Sequence, residues 1–253
     1  MGFSDLLAIG ILLGFAVLLV VRTGTELRWP TTLRSLPAFD ELRRAIERSV
    51  ESGQRVHLSL GTGTLIGSES GPALAGLTAL AQAAEVTLEA DRPLVASSGD
   101  GSVMAASQDA LRGALGRMGA SDRFRWTSAR MLGPTPFSYV ATLPAVLDSE
   151  RVAVHVLLGH FGNEGALAAD MGARQHSFVL AGTDSVPTQA LFYATADHPL
   201  IGEETFAAGA YLGAGGMQRA SLRVQDLLRL ILIILIVAGT VLRTLGVGLL
   251  GVG

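Results

Sequence analysis

The hydrophobic and polar positions divide the chain into two apolar ends and a middle of short alternating segments. Residues 6–21 carry no charge, and residues 230–253 are apolar except for Arg243. At about 1.5 Å per residue, a helix of the first run is roughly 24 Å long, and the second run is long enough to span a bilayer. A signal peptide and a buried core helix are the respective alternatives, but Asp5 stands where a signal peptide needs a basic residue. The pattern predicts two transmembrane helices.

Basic residues flank both apolar runs on the side of the middle segment. Three arginines follow the first run and three precede the second: Arg22, Arg28, Arg34, Arg219, Arg223 and Arg229. Only Arg243 and the amino terminus lie on the other side, so the positive-inside rule predicts a cytoplasmic middle segment and external termini. The predicted organisation is an anchor and linker at 1–29, a cytoplasmic domain at 30–225 and a transmembrane helix at 226–253.

Helical and strand patterns alternate in the middle segment. Apolar residues at helical spacing, such as Leu42, Ile46 and Val50, predict helices, and short apolar runs bounded by Gly or Asp predict strands. The predicted helices cover 39–52, 72–84, 103–118, 137–147, 166–172, 188–194 and 206–212. The predicted strands cover 55–60, 94–97, 152–158 and 178–181. This alternation predicts an α/β fold with a Rossmann-like, mostly parallel sheet, flanked by the two transmembrane helices.

Two stretches of the middle segment resemble each other. The segments around His57 and His155 align after one short insertion, and each follows a helix that is entered after a proline. The alignment predicts two duplicated βαβ halves, at about 37–130 and 136–213, that share the order helix, strand, helix, strand, helix. The alternative is that any two βα units look alike, because Gly and Asp are common in their turns.

Composition removes several kinds of chemistry. The chain of 253 residues has no Lys and no Cys, which excludes a Walker A loop, a Schiff-base lysine, a thiol nucleophile and a disulfide. Residues 30–225 contain 15 Arg and 19 acidic residues, a net charge of −4, which disfavours nucleic-acid binding. Arg117, Arg123, Arg125 and Arg130 form one basic stretch, which we interpret as a solvated turn and helix end.

Each of the four predicted strands ends in a small polar turn. Ligands of open α/β sheets bind at the carboxyl ends of strands, so these turns form the candidate site. Their backbone amides and polar side chains suit a small anion such as a nucleotide phosphate. The candidate ligand-binding residues are Gly61, Thr62, Gly63, Asp100, His160, Asn163 and Asp184. The alternative is a set of tight turns whose glycines only permit a positive φ, and the turns identify no cofactor.

Two histidines stand near carboxylates at spacings that metal sites also use. His160 precedes Glu164 by one helical turn, and His198 lies between Asp197 and Glu203. Because no third ligand has a diagnostic spacing, we interpret both groups as structural or exposed and predict no metal site and no catalytic residue.

The run 193–213 and the strand residues 58–61 resemble an uncharacterised prokaryotic membrane-protein family of unknown function. That family combines an N-terminal anchor, an α/β domain and a C-terminal transmembrane helix, and the resemblance covers most of the chain. It implies no activity, but it implies that the run 197–213 matters beyond packing, and we expect subunit contacts there. The expected contact residues are Asp197, His198, Glu203 and Glu204.

These observations predict a membrane-anchored, cytoplasm-facing α/β protein that forms a homo-oligomeric scaffold and is not catalytic. Its predicted partners are the lipid bilayer and further copies of the chain. The first alternative is a sensor or enzyme that binds a small anionic ligand at the strand turns, and the second is an accessory subunit of a larger membrane complex. Asp5 and Arg243 are expected at similar depth in the bilayer and predict an intramembrane ion pair; the alternative is that each faces its own interface.

Overall fold

A computed structural model describes residues 3–28, 34–213 and 215–244. The helices are α1 (Phe3–Arg28), α2 (Pro37–Glu51), α3 (Ser70–Val86), α4 (Gly101–Arg117), α5 (Pro136–Ser149), α6 (Glu164–Arg174), α7 (Val186–Thr195), α8 (Glu204–Tyr211) and α9 (Gly216–Thr244). The strands are β1 (Arg55–Gly61), β2 (Val95–Ser98), β3 (Ala129–Met131), β4 (Val152–His160), β5 (Phe178–Gly182) and β6 (His198–Leu200). The chain divides into two compact units, one formed by its two ends and the other by Arg34–Ala214.

The unit formed by the chain ends consists of α1 and α9, which pack against each other. Within the residues that the structure describes, one segment, Met217–Val241, is long and apolar enough to cross a membrane. α1 contributes a shorter apolar segment, Leu12–Gly24. The described residues therefore contain one clear candidate transmembrane helix, whereas the sequence predicted two. The predicted domain boundary at residue 226 falls inside α9. The side chain of Asp5 lies outside the described residues, so its pairing with Arg243 stays a prediction.

The other unit folds around a six-stranded, all-parallel sheet with the strand order β3-β2-β1-β4-β5-β6. This confirms the predicted α/β fold and parallel sheet, but the sheet has two strands more than the sequence predicts. Both extra strands, β3 and β6, are three-residue edge strands, too short to show a strand pattern. They form because β2 and β5 offer them hydrogen-bonding partners. Pro199 is tolerated in β6 because an edge strand does not need every N–H.

Helices cover both faces of the sheet. On one face, Leu58 of β1 packs in a core with residues of α2, α3, α4 and α8, such as Leu42 and Leu80. On the other face, Leu157 of β4 packs with residues of α5, α6 and α7. A strand that is covered on both sides must be apolar along its whole length, which is why β4 is a nearly continuous apolar run.

Local signals set the starts of several helices. Pro37 and Pro136 begin α2 and α5, at a position where the missing N–H of proline costs nothing. Thr135 and Ser138 form a capping box, in which each side-chain oxygen accepts the backbone N–H of the other residue. Pro144 lies inside α5, and the helix continues past it to Ser149.

The two halves of the sheet repeat one order of elements. From α2 to α4 and from α5 to α7 the chain runs helix, strand, helix, strand, helix, and an edge strand follows each time. The first strands of the halves, β1 and β4, are neighbours, and His57 lies in register with His155. The predicted element order is observed, while its origin in a duplication stays a prediction.

Candidate functional site at the carboxyl edge of the sheet

The candidate site lies at the centre of the sheet, where β1 and β4 end. After β1 the chain passes to α3 on one face, and after β4 it passes to α6 on the other. Such a reversal opens a crevice outside the carboxyl ends of the strands and is the usual ligand position in open α/β sheets. The predicted turns after β1, β2, β4 and β5 all lie along this carboxyl edge.

The turns after β1 and β4 pack directly against each other. Thr62 donates its backbone N–H to the carbonyl of His160 at 3.0 Å. Gly61 has a φ of +75°, and a Cβ at this position would overlap the same carbonyl oxygen. A Cβ on Gly63 would lie 2.6 Å from the Cβ of His160. These glycines therefore permit contact between two segments of the chain, and the space that they free is taken by His160.

Carboxylates from three turns surround His160 and its neighbours. His160 Nδ1 lies 2.8 Å from Asp184 Oδ1, and His160 Nε2 lies 3.6 Å from Glu69 Oε1. Glu164 is largely buried, and its Oε1 accepts the hydroxyl of Thr62 at 2.8 Å. The structure thus brings together Thr62, His160 and Asp184 of the predicted site, and it adds Glu69 and Glu164.

Two backbone N–H groups of the turn after β4 are already occupied by side chains of the protein. Gly162 donates its N–H to Glu164 Oε1 at 2.9 Å, and Phe161 donates its N–H to the hydroxyl of Thr183 at 3.1 Å. An anion at this edge would have to displace these hydrogen bonds. It would also be repelled by the carboxylates of Glu69, Glu164 and Asp184. The geometry therefore disfavours the anionic ligand predicted for these turns.

Asp100 and Asn163 lie at helix starts. Asp100 is the N-cap of α4, where its Oδ1 accepts the N–H groups of Ser102 and Val103 at 2.9 and 3.1 Å. The hydroxyl of Ser102 binds the same carboxylate and, with these N–H groups, holds the pKa of Asp100 below its usual value. Asn163 precedes α6 as an exposed residue and makes no capping bond through its side chain. Asp100 is thus committed to a structural cap, and the side chain of Asn163 remains open to solvent.

The residues expected at a subunit contact have partners within the domain. Asp197 Oδ2 accepts the N–H of Val179 at 2.8 Å, and His198 lies in β6 with its ring 5.5 Å from that of Phe178. Glu204 lies 3.6 Å from Arg34. Glu203 precedes α8 as its exposed N-cap residue. The described residues contain no group of three or more His, Asp or Glu side chains arranged to hold a metal ion.

A buried polar network crosses the middle of the sheet. His57 Nδ1 lies 2.9 Å from His155 Nδ1, and His57 Nε2 lies 2.9 Å from the hydroxyl of Ser97. The hydroxyl of Tyr139 binds Ser97 at 2.8 Å and also binds Ser59. All five side chains are fully or almost fully buried. The sequence alignment places the two histidines on equivalent strands, but only the pairing of β1 with β4 brings them into contact.

Burial keeps this network uncharged. It lowers the pKa of His155 to about 3 and that of His57 well below its usual value, where the nearby His155 adds to the effect. It also raises the pKa of Tyr139 to about 12. Within the described residues His155 Nε2 has no hydrogen-bond partner, and a backbone contact with Ala168 acts against the lowering of the pKa of His155. A proton on this nitrogen leaves Nδ1 of His155 to accept from His57, which in turn accepts from Ser97.

A cavity that the sequence did not predict lies at the opposite, amino edge of the sheet. It has a volume of about 300 Å³. Four arginines line it and are called the arginine cavity below: Arg55, Arg123, Arg125 and Arg130. Three of them come from the stretch interpreted as a solvated turn, and the fourth begins β1, far away in sequence.

The fold and the site define a doubly wound α/β protein with a parallel sheet whose central crevice is occupied by its own side chains. The chain belongs to the family described as Domain of unknown function (DUF6754), whose model matches residues 3–251. Neither the curated proteins nor the solved structures gave a match.

Proposed function

We propose that the protein is a membrane-anchored, cytoplasm-facing scaffold that assembles from copies of itself and does not catalyse a reaction at the carboxyl edge of its sheet. The observation that carries this proposal is the occupied crevice. Two N–H groups that could bind a substrate or cofactor phosphate there, those of Gly162 and Phe161, are bonded to Glu164 and Thr183. Because the polar groups of this crevice bind each other, we expect the domain to bind other molecules through the surface around the crevice.

Exposed apolar side chains along the same edge supply such a surface. Ile66 follows β1, Phe137 begins α5 after β3, and Val186 begins α7 after β5. Their exposed fractions are 81%, 85% and 73%. Large apolar side chains in water favour association, and copies attached to one membrane share an orientation and a high local concentration. A second copy of the chain is therefore the partner that we propose for this apolar rim.

Membrane attachment rests on Met217–Val241, and the proposal assigns the second span to α1. The six flanking arginines support a cytoplasmic α/β domain by the positive-inside rule. A second candidate function is the binding of a small anion in the arginine cavity rather than at the carboxyl edge. The positive charge of that cavity supports it.

The test of assembly is the native mass of the full chain in mild detergent and in lipid nanodiscs. The expected result is a multiple of the 26.3 kDa protomer mass in both. Val186→Asp places a charge in the apolar rim and should shift the population towards the single protomer. Tyr193→Asp is the matched control, since Tyr193 is 77% exposed on the same helix but lies about 10 Å further along it. A single protomer for the unmodified chain, or equal effects of the two variants, contradicts the proposal.

A further inference from the structure

The arginine cavity concentrates positive charge in a domain that is acidic overall. Its lining also contains Asp91 and Asp122, so four guanidinium groups face two carboxylates. Glu150 is the third carboxylate nearby, and its partly buried oxygens bind both Arg55 and Arg130. Four guanidinium groups and three carboxylates leave the cavity with a net charge of +1.

The other two arginines are held by backbone carbonyls rather than by acids. Arg123 donates to the carbonyls of Leu88 and Ala90, and Arg125 donates to the carbonyl of Asp122 at 3.0 Å. In the part of the chain that the structure describes, neither Arg123 nor Arg125 forms an ion pair. Carbonyl bonds orient a guanidinium group but do not cancel its charge, and they leave further N–H donors for a ligand.

The burial of Arg55 is the second sign of an unmet interaction. Its Nε is buried and has no hydrogen-bond partner among the residues that the structure describes. Burial is also the main reason why the pKa of Arg55 is lowered, and the nearby Arg92 and Arg130 act in the same direction. Glu150 joins Arg55 and Arg130 and opposes this lowering of the pKa, but within the described residues it leaves the charges of Arg123 and Arg125 without a paired carboxylate. Holding like charges together in a partly buried place is unfavourable, and a bound anion would relieve it.

We propose that the arginine cavity binds a small, multiply charged oxyanion, of the phosphoryl or polycarboxylate type. Guanidinium groups match the geometry of both, because their parallel N–H groups bind two oxygens of one anion. A volume of about 300 Å³ lies at the lower end for small-molecule pockets and suits a compact metabolite rather than a polymer. The site is distinct from the carboxyl edge, where Glu69, Glu164 and Asp184 disfavour anions.

The fluorescence of Trp126 can report the binding of an anion in the arginine cavity. It lies between Arg125 and Thr127, which both line the cavity, and its side chain is exposed next to the ring of Phe124. The chain has two tryptophans, so Trp29→Phe leaves Trp126 as the single reporter. The experiment titrates this full-length chain, in an uncharged detergent, with inorganic pyrophosphate and with citrate, and with sodium chloride at equal ionic strength.

The expected result is a saturable change in fluorescence with pyrophosphate or citrate but not with sodium chloride, and the stronger of the two identifies the ligand type. Arg125→Ala should weaken binding about tenfold or more, since a charge-assisted bond is lost. Arg125→Lys keeps the charge but loses the planar guanidinium group with its parallel N–H donors, so this variant should bind the anion less tightly than the parent. Arg117→Ala is the matched control: it removes a nearby charge outside the cavity lining and should leave the affinity within about twofold.

Within the described residues, Arg125 forms hydrogen bonds to two carbonyls of its own turn, so Arg125→Ala should keep the melting temperature of the parent. Arg123→Ala is the second variant, with the melting temperature measured beside the affinity because Arg123 also ties down two carbonyls. The absence of a saturable change with either anion overturns the proposal. So does an affinity that neither Arg125→Ala nor Arg123→Ala reduces. Neither outcome depends on whether the chain is oligomeric.

Discussion

His57 and His155 place two ionisable rings in the middle of the sheet, where a charge would have no water around it. Their shared hydrogen bond satisfies Nδ1 of both rings while they are neutral, and Ser97 and Tyr139 extend the network across the sheet. Such a network is favourable only while it is complete, because an unpaired polar group in a core costs about 1–3 kcal/mol.

The first prediction is therefore loss of stability in acid. In the unfolded chain these histidines have a pKa near 6.5, and in the folded chain the pKa of His155 is about 3 and that of His57 is also lowered. Between these values the unfolded chain binds more protons, so the free energy of unfolding falls as the pH drops from about 6.5 towards 3. The slope reaches about 1.4 kcal/mol per pH unit for each histidine.

Urea unfolding of the detergent-solubilised chain across this pH range measures the slope. A variant with both His57→Gln and His155→Gln should be less stable at neutral pH but have a shallower slope below it. His176→Asn is the control, since His176 is exposed and its φ of +58° suits Asn, and this variant should keep the parent slope. Equal slopes in the double variant and the parent would contradict the assignment.

The second prediction compares two glycines inside helices. A Cβ on Gly76 of α3 would overlap the carbonyl of Leu158, so Gly76→Ala should destabilise the domain by about 1–3 kcal/mol through overpacking. Gly113 of α4 is exposed, with the nearest atom to a new Cβ at 3.6 Å on the flexible side chain of Arg117. Gly113→Ala should stabilise the domain by about 0.5–1 kcal/mol through helix propensity. Melting temperatures that move in the same direction would contradict the packing of α3 on β4.

At the scale of the elements, the turns that suggested a ligand site serve to begin helices and to pack strands. α4 shows this most directly, because the carboxylate of Asp100 accepts two N–H groups of its first turn. A polar residue after a strand is thus compatible with a cap and with a ligand contact, and only its hydrogen bonds distinguish the two.

The third prediction concerns this cap. Asp100→Ala should lower the free energy of unfolding by about 0.5–2 kcal/mol, and Asp100→Asn should lower it less. The pKa of Asp100 is depressed in the folded chain, so its contribution is present above the usual carboxyl pKa and is lost as the pH falls below it. Asp109→Ala removes the same charge from an exposed position on α4 and should not destabilise the helix. An equal loss in both variants would show that net charge, not capping, is responsible.

The two edges of the sheet have opposite chemistry at the scale of the whole molecule. Carboxylates of Glu69, Glu164 and Asp184 gather at the carboxyl edge, and the arginine cavity lies at the amino edge. The short edge strands β3 and β6 offer few free backbone groups, so contacts between copies through extended strands are disfavoured, which favours side-chain surfaces such as the apolar rim.

The fourth prediction tests the proposed topology. The chain has no Cys, so a single introduced Cys reports its own side of the membrane. Glu51→Cys, at the exposed end of α2, should react with a membrane-impermeant maleimide only after the cells are permeabilised. Gly2→Cys, near the proposed external terminus, should react in intact cells. The reverse pattern would place the α/β domain outside.

Much of the architecture follows from the sequence alone. The helices α2 to α7 and the strands β1, β2, β4 and β5 were predicted within a few residues, because long apolar periodicities and Gly or Asp turns are local properties of the chain. The same local information gives the order of elements in both halves, the apolar segment in α9, and the exclusion of lysine and cysteine chemistry.

The tertiary structure alone decided the edge strands and the sites. β3 and β6 exist because a neighbouring strand pairs with them, and a three-residue segment carries no pattern of its own. The contact between His57 and His155 depends on the register of β1 with β4. The arginine cavity joins Arg55 to Arg125 and Arg130, about 70 residues away in sequence, where the amino ends of β1, β2 and β3 come together. Each of these features depends on which strands are neighbours, and a choice of neighbours is a property of the folded sheet rather than of any local segment.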